Sequence, residues 1–232
     1  MNDLGESILK CLRQIALERE HRSADPALGS RVVAVKQFQH ARFSRTYADL
    51  LADLRYGPAA RFFLEDLYGP TDFAERDAQF ARVVPTLVRM FPADVVATVA
   101  QLATLHALSE RLDSAMAVAL DGMALEGRSY AQVWRRVGEP LAREQQIALT
   151  LSVGEALDRH THKPLLRHSL RLMRRPAKAA GLSALHLFLE AGFDSFRAMA
   201  GAGDFLATIA RRERALAASL FGGADLPGDG PG

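Results

Sequence analysis

ADVVATVAQLATLHALSERLDSAMAVAL, residues 93–120, decides the fold. Val95, Val99, Leu102, Leu105, Leu112 and Met116 recur at helical spacing and make a broad apolar stripe. Pro92, just before them, suits the start of a helix. A helix so apolar belongs at the centre of a bundle. Its longest uncharged part, Val95–Ser109, carries threonines and a histidine and falls short of the roughly 20 apolar residues that a membrane span requires.

The rest of the chain agrees with a helical centre. Of 232 residues, alanine and leucine supply 72, whereas isoleucine, valine and threonine supply 25, so helix formers far outweigh the types that favour strands. One cysteine excludes a disulfide framework and a thiolate zinc cluster. Cys11 falls on the apolar stripe of the first helix, the place of an inert thiol. The N-terminus, Met-Asn-Asp-Leu-Gly-Glu, lacks a basic region followed by an apolar one, so a cytoplasmic location is expected.

Punctuation divides the chain into an all-α, single-domain bundle of about eight to ten helices over residues 1–221. The tail, 222–232, is rich in glycine and proline and is expected to be disordered. The first helix should run from Asp3, boxed with Glu6, to about Glu20, with a loop over His21–Ser30. A long helix, bent near Ser44, should carry Val32 to Leu54. Tyr56-Gly57-Pro58 and Tyr68-Gly69-Pro70 repeat one tripeptide, in which glycine can end one helix in the left-handed conformation and proline begin the next. Asp72 and Glu75 read as a capping box for a helix that Pro85 should kink or split. Ser129 and Gln132 read as another, before the helix of Trp134. Pro164 should start a basic helix broken by Pro176 and Gly181, and two final helices should span Ser183–Met199 and Asp204–Phe221.

The run Arg61-Phe62-Phe63-Leu64-Glu65-Asp66-Leu67-Tyr68-Gly69-Pro70, continued by Asp72-Phe73 and Arg76-Asp77, resembles the signature of an uncharacterised bacterial protein family. The likeness is specific over about residues 55–91 and looser around Phe188-Leu189-Glu190 and Arg212-Glu213. It implies an all-helical fold. That family has no assigned activity, so it implies no functional residue.

Four groups of residues are candidates for function. Arg61, Asp66, Tyr68, Asp72, Arg76 and Asp77 gather ionisable and aromatic groups around the tight Tyr-Gly-Pro corner. They read either as a ligand or partner site or as structure, with Asp72 capping, Arg76 pairing with it and Tyr68 anchoring the turn. His106 with Glu110, and His186 with Glu190, are each four apart and share a helix face; two such helices brought together would offer nitrogens and carboxylates to a metal. The same spacing also gives a plain intrahelical His–Glu contact. His106, flanking the central stripe, is in addition the place for a haem ligand.

Charge supplies the last group. The net charge of +2 argues against a dedicated nucleic-acid binder, yet no acidic residue occurs between Asp158 and Glu190. On a helix Arg167, Arg171, Arg174 and Lys178 share one face, opposite Leu166, Leu170 and Met173. That face reads as solvated surface or as a contact for an anionic surface.

No phosphate-cradling glycine loop and no nucleophile elbow is present in the sequence. The reading that follows is a non-enzymatic bundle protein that binds a protein partner, a second copy of itself or a small apolar ligand. Phenylalanines 62, 63, 73, 80 and 91 are candidates to line such a pocket. A metal- or haem-dependent oxidoreductase is the alternative.

Overall fold

A computed structural model describes residues 3–67, 69 and 73–226. Among them are eleven α-helices: α1 (Asp3–Ala24), α2 (Pro26–Thr46), α3 (Ala48–Ala52), α4 (Gly57–Arg61), α5 (Ala74–Met90), α6 (Ala93–Leu120), α7 (Gly127–Val137), α8 (Pro140–Thr161), α9 (Pro164–Ala179), α10 (Ser183–Met199) and α11 (Gly203–Phe221). A π-helical segment, Phe62–Leu67, continues α4. The fold is a single all-α bundle, and no strand occurs among the described residues.

The apolar helix α6 is the hub, packed against α1, α2, α7 and α8. From α8 the packing passes outward to α10 and α11. Apolar side chains gather into three clusters. One joins α2, α6 and α7 around Tyr130 and Met116, and a second joins α4, α10 and α11 around Phe196 and Phe205. The third joins α1, α5 and α6 around Ile8, Ile15 and Val96.

Several boundaries differ from those the sequence suggests. The expected loop over residues 21–30 is absent, because Asp25 caps α2 through the N–H groups of Ala27 (3.0 Å) and Leu28 (3.1 Å) while Pro26 occupies its first turn. The long second helix breaks at Tyr47 rather than bending at Ser44. Glu126 and Ser129 form the reciprocal box of α7, three residues ahead of the expected one. Helix α5 runs unbroken through Pro85 and α9 through Pro176. The capping box expected from Asp72 falls partly outside the described residues, and Glu75 instead accepts from Gln79 Nε2 at 2.8 Å within α5. Part of the tail is docked: Arg135 donates to the Ala224 carbonyl at 3.0 Å and Leu226 packs on the α2–α6–α7 cluster. Residues 227–232 lie outside the described residues.

Three glycines serve close approach rather than turn geometry. Gly57 opens α4 instead of ending a helix in the left-handed region, and a Cβ on it would lie 2.9 Å from the Leu51 carbonyl oxygen. On α10, a Cβ at Gly192 would lie 2.7 Å from the ring of Phe62, which is buried and stacked on Phe188. At Gly154 the nearest obstacle is a methyl of Leu206. A leucine terminus can swing aside and a wedged phenylalanine cannot. Gly192→Ala should therefore lose about 1–3 kcal/mol in urea unfolding despite its gain in helix propensity, and Gly154→Ala clearly less.

Candidate functional site

Helix α5 packs closely on α1 and α10 but only lightly on α6, and a chamber of about 440 Å³ fills the interval. Helices α5, α6, α9 and α10 supply most of its wall. The wall is largely aliphatic and aromatic: Phe80 and Phe91 of the candidate phenylalanines line it, with Leu102, Leu105 and Phe193. Leu166, Leu170 and Met173, the apolar stripe of the basic helix, complete it from α9. Phe62 belongs to the core instead, and Phe63 faces a second, smaller cavity. The chamber is reached from solvent at its rim, where Met173, Phe91 and Leu189 are exposed.

Polar groups converge at one place in this wall. Asp77 of α5 accepts from Arg19 Nη2 at 2.6 Å and from His106 Nε2 at 2.8 Å. Arg76 Nε stands 3.6 Å from the other Asp77 oxygen. Burial alone would raise the Asp77 pKa, but the hydrogen bond and charge of His106, with Arg19 and Arg76, outweigh it and hold the group at about 2. The ionised carboxylate in turn fixes the proton of His106 on Nε2. Arg76 is itself boxed in: its guanidinium lies 3.9 Å from the Phe73 ring centroid and 4.5 Å from that of Phe188, and Nη1 donates to the Asp66 carbonyl at 2.7 Å.

Two further histidines line the chamber. His160 Nε2 meets Thr98 Oγ1 at 3.0 Å, and its Nδ1 has no hydrogen-bond partner among the described residues. Burial, assisted by Lys163, lowers its pKa and favours the neutral ring. His186 Nε2, also without a hydrogen bond, stands 3.5 Å from Glu190. The arrangement is an apolar compartment with a few fixed polar groups able to orient a ligand.

The structure thus joins Arg76 and Asp77 of the Tyr-Gly-Pro corner to His106 of the metal candidates. Arg61 turns away to the Leu51 carbonyl, 3.2 Å distant, and burial pushes the Asp66 carboxyl pKa up. Tyr68 and Asp72 lie outside the described residues. His106 and His186 share the chamber, but their partner carboxylates are engaged elsewhere. Glu110 is clamped by Arg22 and Lys36, each at 2.5 Å, and Glu190 is held by Arg174 at 2.8 Å. Among the described residues no group of three or more His, Cys, Asp or Glu is placed to hold a metal. On the basic face Arg174 joins Glu190 and Arg167 stands 3.7 Å from Asp194, whereas Arg171 and Lys178 are exposed. Cys11 is half-buried, 3.8 Å from Thr104 Oγ1.

Arg19 was not singled out by sequence reasoning. Arg19 had a signal: Leu12, Ile15, Arg19 and Arg22 continue one stripe at three- and four-residue steps, so the buried face of α1 passes from aliphatic to cationic.

Glu110 resembles Asp77 electrostatically. Burial opposes its ionisation, but Lys36, His106 and Arg22 bring its pKa to about 2. Carboxylates depressed in the folded state stabilise it above their ordinary pKa values of 3.8 and 4.5 and release that stability as pH falls toward 2. Each contributes about 2–3 kcal/mol to that acid-labile part. Glu110→Gln leaves Arg22 and Lys36 buried without their anion and should cost about 3–5 kcal/mol at pH 7. Denaturation followed from pH 7 to pH 3 should show a shallower pH dependence for this variant than for the wild type.

No curated protein and no solved structure shows a significant match to the chain. A family model, described as a domain of unknown function, DUF8198, matches residues 18–227 and so takes in every helix from the end of α1 onward. The chain belongs to that family, the domain-of-unknown-function family DUF8198.

Proposed function

We propose that this protein is a non-enzymatic binder of a small, uncharged, mainly apolar molecule, held in the chamber between α5, α6, α9 and α10. The observation that carries the reading is the chamber itself. Its 440 Å³ falls within the roughly 300–1,000 Å³ of small-molecule sites, and its wall is mainly apolar, with Arg76, Asp77 and His106 at one end and a few further histidines and hydroxyls. Without a ligand, the aliphatic and aromatic wall is left facing solvent through the open rim. Water would be a poor filling, because most of the wall offers it no hydrogen bond. An apolar ligand covers that wall.

The polar end favours a neutral ligand with one hydrogen-bonding group. Arg19 and Arg76 face Asp77 and Asp66, so opposite charges are already paired there, and the ligand's polar atom would meet His186 or His160. Helix α9 supports entry. Ala177 is its one buried residue among those described, while Leu165 and Leu172 are exposed, so this wall is lightly held and can yield to a ligand.

The test is saturable binding of the neutral fluorophore 1-N-phenylnaphthylamine. One site per chain is expected. Leu102→Trp, which builds bulk into the chamber, should weaken binding at least about tenfold with helix content and Tm preserved. Unsaturable binding, or a Leu102→Trp protein that binds as well as the wild type, would overturn the proposal.

A further inference from the structure

A second cavity, of about 90 Å³, shares no lining residue with the chamber. Apolar groups such as Phe63, Ile147 and Phe205 make most of its wall, but two buried arginines enter it, Arg42 from α2 and Arg143 from α8. Arg42 is committed: its Nη1 donates to both oxygens of Glu213, at 2.8 and 3.1 Å, and the Tyr47 hydroxyl donates to the same carboxylate at 2.7 Å.

Arg143 is in a different state. It is 3% exposed, and its guanidinium lies 3.9 Å from the ring centroid of Trp134. Nη1 reaches Gln146 Oε1 at 3.3 Å, while the buried Nε and Nη2 have no hydrogen-bond partner among the described residues. Nε–H and the neighbouring Nη2–H form the edge of a guanidinium that grips a carboxylate through two parallel bonds. The surrounding anions are spent on other cations: Glu213 on Arg42, Glu139 on Arg111, and Glu110 on Arg22 and Lys36. Asp113, buried nearby, is the carboxylate that remains, and it accepts no hydrogen bond from Arg143; burial pushes its pKa up and weakens it as a counter-ion. Arg22, Lys36, Arg42 and Arg143 therefore outnumber Glu110, Asp113 and Glu213 by one cation. Arg143 is thus a buried cation beside an apolar cavity, with Nε and Nη2 unpaired among the described residues.

We infer that this cavity binds a small monocarboxylate with an apolar tail, its carboxylate paired with the Arg143 guanidinium and its tail between Ile147 and Phe205. Trp134, the one tryptophan of the chain, stacks on the binding group and reports occupancy directly. Titration with hexanoate at pH 7 should change Trp134 fluorescence saturably, whereas hexanol, which lacks the charge, and inorganic phosphate, which lacks the tail, should not. Arg143→Gln should weaken hexanoate at least about tenfold. Ile147→Phe, which keeps the arginine and fills the tail space, should do the same by calorimetry and covers the case in which Arg143→Gln fails to fold. An unsaturable response would overturn the inference and leave only internal water beside Arg143. Equal binding of hexanol or phosphate, or undiminished hexanoate affinity in the folded variants, would overturn it as well.

Discussion

The architecture turns on one buried carboxylate. Glu110 lies on the most apolar helix of the chain, almost wholly out of water, and is gripped from α1 by Arg22 and from α2 by Lys36. Arg22 also donates to the Glu110 carbonyl at 2.6 Å and to Ser114 Oγ at 2.8 Å, so it reads a full turn of α6 rather than a single atom. A clamp of this kind adds little net stability, since desolvation consumes most of the attraction. Its effect is on register. Sliding α1 or α2 by one residue would strand three charges in the interior. The same register sets the chamber: His106 stands one turn before Glu110 and meets Asp77, which Arg19, one turn before Arg22, holds from the other side.

That register also explains where the interior stays open. Helices α1 and α2 are drawn tightly onto α6, and α8 packs on it from another side. Helix α5 meets α6 more lightly, and the Asp77–His106 bond links them. The apolar flank of α6 that α5 leaves uncovered becomes the chamber wall. The polar network thus fixes one side of the hub and leaves the other to a lightly held helix, α9.

Much of this was legible in the sequence. Helices α6 and α10 begin and end where their proline, glycine and apolar periodicity place them, because capping and burial act within a few residues of the chain. The short helices were harder. Nothing in Phe62–Leu67 announces a π-helical segment, and a break at Tyr47 depends on packing from distant α11, where Glu213 takes its hydroxyl. For the site, His106, Asp77 and Arg76 were visible as candidates, but their meeting was not, since it joins residues 29 and more positions apart in sequence. The arginines were hidden for another reason. Leu28, Val32, Val35, Gln39 and Arg42 form one buried stripe, yet an arginine ending an apolar stripe is ordinarily read as the solvated margin of a helix. In a chain with 25 arginines, composition alone cannot single out the buried ones.

The π-helical segment gives the two cavities their separate characters. Leu67 at its end borders the chamber, whereas Phe63 and Leu64 border the smaller cavity. Phe62, at the start of the segment, is wedged against Gly192 and stacked on Phe188, which pins the segment as a partition. On one side the charged groups are internally matched, Arg19 and Arg76 with Asp77 and Asp66, so transferring an ion there would forfeit its hydration for no opposing charge. On the other, Arg143 keeps two buried N–H groups without a hydrogen-bond partner among the described residues. On the two proposals above, one interior divided by a buried phenylalanine would sort ligands by charge: neutral apolar molecules toward α6 and α9, carboxylates toward α8. That division requires no movement of the bundle, only that Phe62 stay where Gly192 allows it to be.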